Sequence, residues 1–437
     1  MLPHLDLQID ISGSLEEGLG SDRGVSPETL ADGLRQADEI VKGIWDLRRL
    51  GQVPFLDLPY QEATLEQILS LADQRRGAYQ DVVVCGFGGS ALGSAMLVEG
   101  IQRSTRNLGD PHHPRLHILD TLDPATIDAV WDLIDPSQTL FIFNSQSGKT
   151  IETLIQFELF YHRLKTILGS AGLRDHMFVM TRKGQSPLGS RAESEKIPVM
   201  AVPQGVGGRF SVLTAAHLFP AALCDVDILS LIQGAKRMDE RVGPGSASNP
   251  AAQLAALLFL WAERRRHRSV VIWPYVDRLS SFGSWISQLM AESLGKKFSL
   301  KEKEVRAGLT PILASGVATQ HSELQLYLDG PLDKVFLFVT SSPSVGEPLQ
   351  SSLPLVSGQS VGAWLMASEL ATEQTMAQQG IPSLKIELPE VTEYCLGQLI
   401  FMSEVLVAIL GGLMEINPYD QPGVESVKRK LLQSFTV

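Results

Sequence analysis

Cysteine is scarce: three in 437 residues, Cys85, Cys224 and Cys395, with no CxxC pair among them. An odd, scattered set excludes a disulfide framework and a cysteine-based zinc site, and it fits a reducing compartment. Positive charge is also short, since 37 basic against 49 acidic residues leave a formal charge of −12. Without a basic footprint, neither nucleic acid nor an anionic membrane surface is expected as a partner. Long apolar runs are missing too. The stretches around 254–262 and 405–414 fall short of the roughly 20 residues that a membrane helix requires. Residues 1–11 carry His4, Asp6 and Asp10 where a signal peptide would need an apolar core. A cytoplasmic location is the expectation. What remains is an ordinary globular composition, 44% hydrophobic and 20% charged, in a chain long enough for more than one domain.

No fixed-period repeat runs through the chain. Pro27-Glu28 opens one predicted helix, and 63–74 has helical spacing through Leu65, Ile68, Leu69 and Leu71. At Asp81 the rhythm changes to short apolar runs at 82–85, 116–119, 140–143 and 177–180. Between the last two, Leu154, Phe157, Tyr161 and Leu164 share one helical face. Such runs alternating with helices predict an α/β protein whose parallel sheet is covered on both faces. A crossover is expected near 227–250. Beyond it, Asn249-Pro250 supplies an N-cap followed by proline at the first helical position. Runs at 270–273 and 335–339 then predict further buried strands, 396–414 a buried helix, and 424–433 a final one.

Two segments could hold an anion, because ligands of open parallel sheets sit where strands end and helix N-termini present free N–H groups. Gly86-Phe87-Gly88-Gly89-Ser90-Ala91 follows a strand and nearly satisfies a dinucleotide fingerprint, with Asp120 ending the next strand. Asn144-Ser145-Gln146-Ser147-Gly148-Lys149-Thr150 converges hydroxyls, N–H groups and one lysine ahead of a helix. It imitates the end of a Walker A loop, but Phe143 stands where that loop needs glycine, which disfavours a nucleoside triphosphate. As for proton transfer, Gln288 and Glu292 lie four apart on one helical face, and Gly295 looks like that helix's terminator. His321 follows a loop containing glycine and threonine, and Lys428 lies in a helix after the turn at 419–425. Taken alone, each of these has a structural reading as a cap, a surface charge or a core group.

In order along the chain, these segments resemble the glucose-6-phosphate isomerase (phosphoglucose isomerase) family from about residue 80 to 430. Val206-Gly207-Gly208-Arg209-Phe210-Ser211 is similar to one family signature. Gly411 through Tyr419-Asp420-Gln421-Pro422-Gly423-Val424-Glu425 to Lys428 is similar to another. The resemblance implies two doubly wound sugar-isomerase (SIS) domains, with segments 1–75 helical, 76–226 and 227–395 the α/β domains, and 396–437 a C-terminal helical arm. It further implies a homodimer whose site is completed by His321 of the partner subunit. By the same resemblance Glu292 is the base, Arg209 the arginine beside the reacting carbons, and His321 with Lys428 the ring-opening pair. Gly89, Ser90, Ser145, Gln146, Ser147, Lys149, Thr150 and Glu152 fall in the substrate- and phosphate-binding loops, joined by Gly208 and Gln288. Relatives often carry lysine where Gln146 stands and threonine where Lys149 stands, which points to a displaced phosphate cation.

The implied reaction opens the sugar ring and moves a proton between C2 and C1 through a cis-enediol(ate), and it calls for no metal, nucleotide or other cofactor. Glucose 6-phosphate is the expected aldose. A dinucleotide-dependent oxidoreductase would explain 86–91 and Asp120 but leaves 145–150, Glu292 and Lys428 without a role. A sugar-phosphate-sensing module would need ligand binding only, and the full set of base, arginine, histidine and lysine disfavours it.

Overall fold

The computed structural model describes residues 3–102, 106–108, 113–182, 184, 186–246, 248–342, 346–424, 427, 430 and 431. In chain order its strands are β1 (Gln8–Asp10), β2 (Asp81–Cys85), β3 (Arg115–Leu119), β4 (Thr139–Asn144), β5 (Met177–Arg182), β6 (Val199–Val202), β7 (Ser269–Pro274), β8 (Lys296–Phe298), β9 (Glu304–Ala307), β10 (Thr310–Leu313), β11 (Lys334–Ser341) and β12 (Ser383–Leu388). One five-stranded sheet has the order β3-β2-β4-β5-β6, parallel throughout. The second has the order β1-β12-β11-β7-β10, parallel except for β1 at its edge. Every residue of β2 and β4 is buried, which is why those strands read as unbroken apolar runs. The expected α/β class with two doubly wound sheets is what forms.

The N-terminal helix Pro27–Arg49 starts where the sequence places it, with Ser26 Oγ accepting the Thr29 N–H. Asn249 caps Pro250–Arg264 in the same way, through the Ala252 N–H. The crossover at 227–250 is itself mostly helix, Ile228–Val242. The first residues are not all helical either, because β1 closes the second sheet against β12.

Helix Glu393–Leu413 corrects the reading of apolar length. At 21 residues it has the length and composition to cross a membrane, yet 89% of its most apolar stretch is buried inside the protein. Gln398, Ser403 and Glu404 interrupt the run in sequence and are buried with it. It packs on Ile228–Val242 closely enough that a Cβ at Gly234 would lie 1.9 Å from the Tyr394 carbonyl oxygen. A Cβ at Gly397 would meet the Leu231 carbonyl oxygen at 1.9 Å, so only glycine lets these backbones touch.

Candidate active site

The first sheet reverses its winding between β2 and β4, the place where ligands of such sheets collect. Cys85 pairs with Phe143 across those strands, so the loops that follow them lie side by side. Asn144 Nδ2 donates to the Ser90 carbonyl at 2.8 Å and joins the two. Within the second loop, Ser145 Oγ donates to Thr150 Oγ1 at 3.0 Å and accepts the Gly148 N–H at 3.1 Å. Ser147 Oγ accepts the Lys149 N–H at 3.2 Å. Gly148 has φ of +61°, and a Cβ there would sit 2.3 Å from Ser186 Oγ. The turn therefore needs glycine on both conformational and steric grounds. Helix Ile151–His176 begins immediately after it, and Thr150 makes no side-chain cap, leaving N–H donors free for an anion. Ser147 and Lys149 are exposed and Gln146 is half-buried, with Gln146 Nε2 unpartnered among the described residues. Glu152 occupies the first helical turn. There it favours the helix dipole, but a phosphate dianion would avoid it.

A seam of glycines connects this cradle to the rest of the cleft. A Cβ at Gly89 would lie 2.4 Å from the Gly208 carbonyl carbon and 2.5 Å from Arg209 N. Just beneath, Ser211 Oγ donates to the Gly208 carbonyl at 2.6 Å and meets His217 Nε2 at 3.1 Å, while His217 Nδ1 meets Ser94 Oγ at 2.9 Å. Complete burial pushes the His217 imidazole down to about 4, so near neutral pH it is an uncharged strut between two hydroxyls. Nothing in the local sequence singled it out.

The opposite wall is the C-terminal end of helix Ser280–Leu294. Phe282, Trp285, Ile286, Leu289, Met290 and Ser293 form its buried face, with the spacing of an amphipathic helix. Burying each large apolar side chain contributes about 1.5–3 kcal/mol. Gln288 and Glu292 stand off that face toward the cleft. Gln288 Nε2 donates to Glu292 Oε1 at 2.9 Å, and Gln421 Nε2 donates to Glu292 Oε2. Arg209 Nη1 lies 3.8 Å from the same Oε2. The Gly88 loop abuts this helix, since a Cβ at Gly88 would come within 2.6 Å of Gln288 Nε2.

Arg209 is 1% exposed. Its Nε donates to Ser293 Oγ at 2.6 Å, and Nη2 donates to the carbonyls of Pro418 at 2.6 Å and Asp420 at 3.2 Å. Burial draws its pKa below the usual guanidinium value, opposed by Glu292 and Asp420, and the group remains a cation. Hydrogen bonds to a charged group stabilise by about 1.5–3 kcal/mol each, which offsets part of the cost of taking this charge out of water.

His321 is elsewhere. It caps the short helix Gly316–Gln320 and is exposed, with no side-chain hydrogen bond or ion pair among the described residues. That helix leaves the carboxyl end of β10 beside Tyr275 and Asp277, at the start of helix Ser280–Leu294. Glu292 is at the other end of that helix, about 18 Å from Ser280 at 1.5 Å per helical residue. Within one chain, Gly316–Gln320 and His321 thus lie by the opposite end of the helix that carries Glu292. Lys428 lies outside the described residues. Sequence reasoning missed Gln421 and Lys296 as site residues; the Lys296 ammonium binds the carbonyls of Glu292 and Ser293 at 2.7 and 2.9 Å.

A family model described as "Phosphoglucose isomerase" matches residues 70–335. The chain belongs to the phosphoglucose isomerase family. It is similar to a glucose-6-phosphate isomerase of Carboxydothermus hydrogenoformans, 33% identical over 393 residues, covering 87% of this chain and 84% of that one. It is also similar to one of Rubrobacter xylanophilus, 36% identical over 385 residues, covering 86% and 87%. Among solved structures, a protein from Thermus thermophilus, titled hypothetical protein TT0462, superposes with a TM-score of 0.86 at 30% identity, covering 99% and 100% of the two chains. A glucose-6-phosphate isomerase of Chlamydia trachomatis shares the fold at a TM-score of 0.76 and 24% identity, over 85% of this chain and 72% of that one. Within this phosphoglucose isomerase fold, the glycines that imitate a dinucleotide fingerprint serve close packing between segments of the same chain. Gly86, Gly88 and Gly89 abut Asn144, Gln288 and Gly208 respectively.

Proposed function

We propose that the chain interconverts glucose 6-phosphate and fructose 6-phosphate. The observation that carries this is a cleft-facing carboxylate, Glu292, held 3.8 Å from the buried guanidinium of Arg209 beside an anion cradle of hydroxyl and N–H groups. The phosphate sits against Ser90, Ser145, Ser147 and Thr150 and the free N–H groups of the following helix, with exposed Lys149 as the available cation. Two amide side chains, Gln288 and Gln421, fix both carboxylate oxygens of Glu292. Glu292 takes the proton from C2 of the open aldose while the C1 oxygen gains one, giving the cis-enediol(ate). The same carboxyl returns its proton to C1 as the C2 hydroxyl loses its own. Arg209 stabilises the negative charge that develops on the two oxygens.

Ring opening, which puts a proton on the ring oxygen and removes one from the C1 hydroxyl, falls to His321 of the partner subunit with Lys428. Two features support a dimer. Within one chain His321 lies by the far end of the helix that carries Glu292, and a neighbouring helix exposes apolar side chains. Helix Val361–Gln378, tied to Gln320 through Ser368 at 2.8 Å, exposes Val361, Trp364 and Leu370. Three buried cysteines with no CxxC among them suit a cytoplasmic setting.

The decisive experiment is conversion of fructose 6-phosphate by the purified chain in D2O, with product glucose 6-phosphate read by mass spectrometry and NMR. Turnover with deuterium at C2 is expected, because an enediol route exchanges its proton with solvent. Partial label is expected at early times, where Glu292 hands back a proton before it exchanges; absence of turnover, or C2 still free of deuterium after long equilibration, would refute the proposed proton shuttle.

A further inference from the structure

Lysines normally keep their ammonium in water, yet the Lys296 side chain is 5% exposed. It opens β8, directly after the Gly295 that ends helix Ser280–Leu294. Its side chain turns back, and Nζ donates to the carbonyls of Glu292 at 2.7 Å and Ser293 at 2.9 Å. The same nitrogen lies 3.7 Å from Asp420 Oδ1. Those carbonyls belong to the last helical turn, where unsatisfied acceptors carry the negative end of the dipole and a cation is the favoured cap. Asp420 belongs to the loop whose Pro418 and Asp420 carbonyls hold Arg209 and whose Gln421 holds Glu292. One ammonium therefore touches both the backbone of the carboxylate-bearing helix and the loop that supports the carboxylate's two partners.

The arrangement is costly if its only purpose is to end a helix. Burial and the neighbouring Arg209 draw the Lys296 pKa down to about 8, against the opposing pull of Asp420 and Glu292. A neutral cap would avoid that repulsion. On the outer side a cavity of about 750 Å³, lined in part by Lys296, Phe298, Ser299, Asn417 and Asp420, gives water access to this region.

We propose that Lys296 is a positioning residue for the isomerisation, its charged head clamping the Glu292 end of the helix to the 418–421 loop so that the carboxylate keeps its place against Arg209. This rests on the reading of Glu292 as the base. Lys296 touches no reacting atom; it acts through Glu292 and Arg209.

The test is the pH profile of kcat and KM, from about pH 6 to about pH 9.5, for the wild type, Lys296→Met and Lys296→Arg. In the wild type kcat should decline as pH rises through about 8, where the clamp loses its charge. Lys296→Met should lower kcat about 10–100-fold, as expected for a reacting group displaced by about 1 Å, and abolish that alkaline decline. KM should stay within about threefold, because the phosphate cradle is untouched. Lys296→Arg should recover much of the loss and move the decline to higher pH, since guanidinium stays charged. Wild-type kcat with an unchanged alkaline decline in Lys296→Met would overturn the proposal, whatever happens to its melting temperature. If Lys296→Met does not fold, an alkaline decline that fails to shift in Lys296→Arg would overturn it equally. Glu292→Gln run in parallel separates the two claims: undiminished turnover there sinks the base itself, whereas failure of the lysine variants alone sinks only the clamp.

Discussion

The loops at 86–90 and 145–150 offer hydroxyls and N–H groups, and their one cation, Lys149, is exposed. The facing wall does the reverse: Arg209 and Lys296 are buried, and every charged group there has named partners. A dianion that must enter and leave is well served by a solvated cradle, where donors need not be stripped of water in advance. Stabilising charge that exists only in passing calls for groups already fixed and dry before the reaction begins. The contrast divides the cleft into a wall that governs affinity and one that governs turnover.

The largest expected effect breaks the second wall. Glu292→Gln keeps the shape and should reduce kcat by roughly two to four orders of magnitude while the dissociation constant for fructose 6-phosphate stays nearly constant. A variant that loses binding instead would place Glu292 on the affinity side. A smaller effect is expected at the seam. Gly89→Ala drives a methyl group against the Gly208 backbone, at 2.4 Å, so the two walls must part. A displacement of about 1 Å should lower kcat/KM by about 100-fold, through both kcat and KM. A change confined to either parameter would show that the walls are not mechanically joined there. The smallest effect sharpens the first wall: Lys149→Ala should raise KM about two- to fivefold with kcat unchanged, the cost of one solvent-screened charge. A larger loss would make Lys149 the principal phosphate cation.

The strands that lie inside the sheets were legible in sequence because both of their faces are covered. The apolar runs at 82–85, 140–143, 270–273 and 335–339 coincide with β2, β4, β7 and β11. Edge β3 and near-edge β5 also showed, as the runs at 116–119 and 177–180, but two other strands gave no such signal. In β12, Lys385 and Glu387 alternate with buried Leu384 and Ile386, and β9 is mostly exposed. A search for continuous apolar runs passes over both. At the site, the spacing of Gln288 and Glu292 was readable because it spans a single helical turn. Gln421 meets Glu292 across 129 residues, and His217 reaches Ser94 across 123. Neither distance leaves any trace in local pattern, and the role of Lys296 depends on how one loop folds over the end of a helix.

The pairing of β1 with β12 has a consequence for how the molecule comes into being. Gln8 is partnered by Glu387, so a strand made among the first residues waits for nearly the whole chain before its place exists. At about 5–20 residues per second, that delay is about 20–75 s on the ribosome. All the while the first sheet, whose strands lie between residues 81 and 202, can already be complete. The two halves of the cleft are thus born in sequence, and the wall that carries the chemistry closes last.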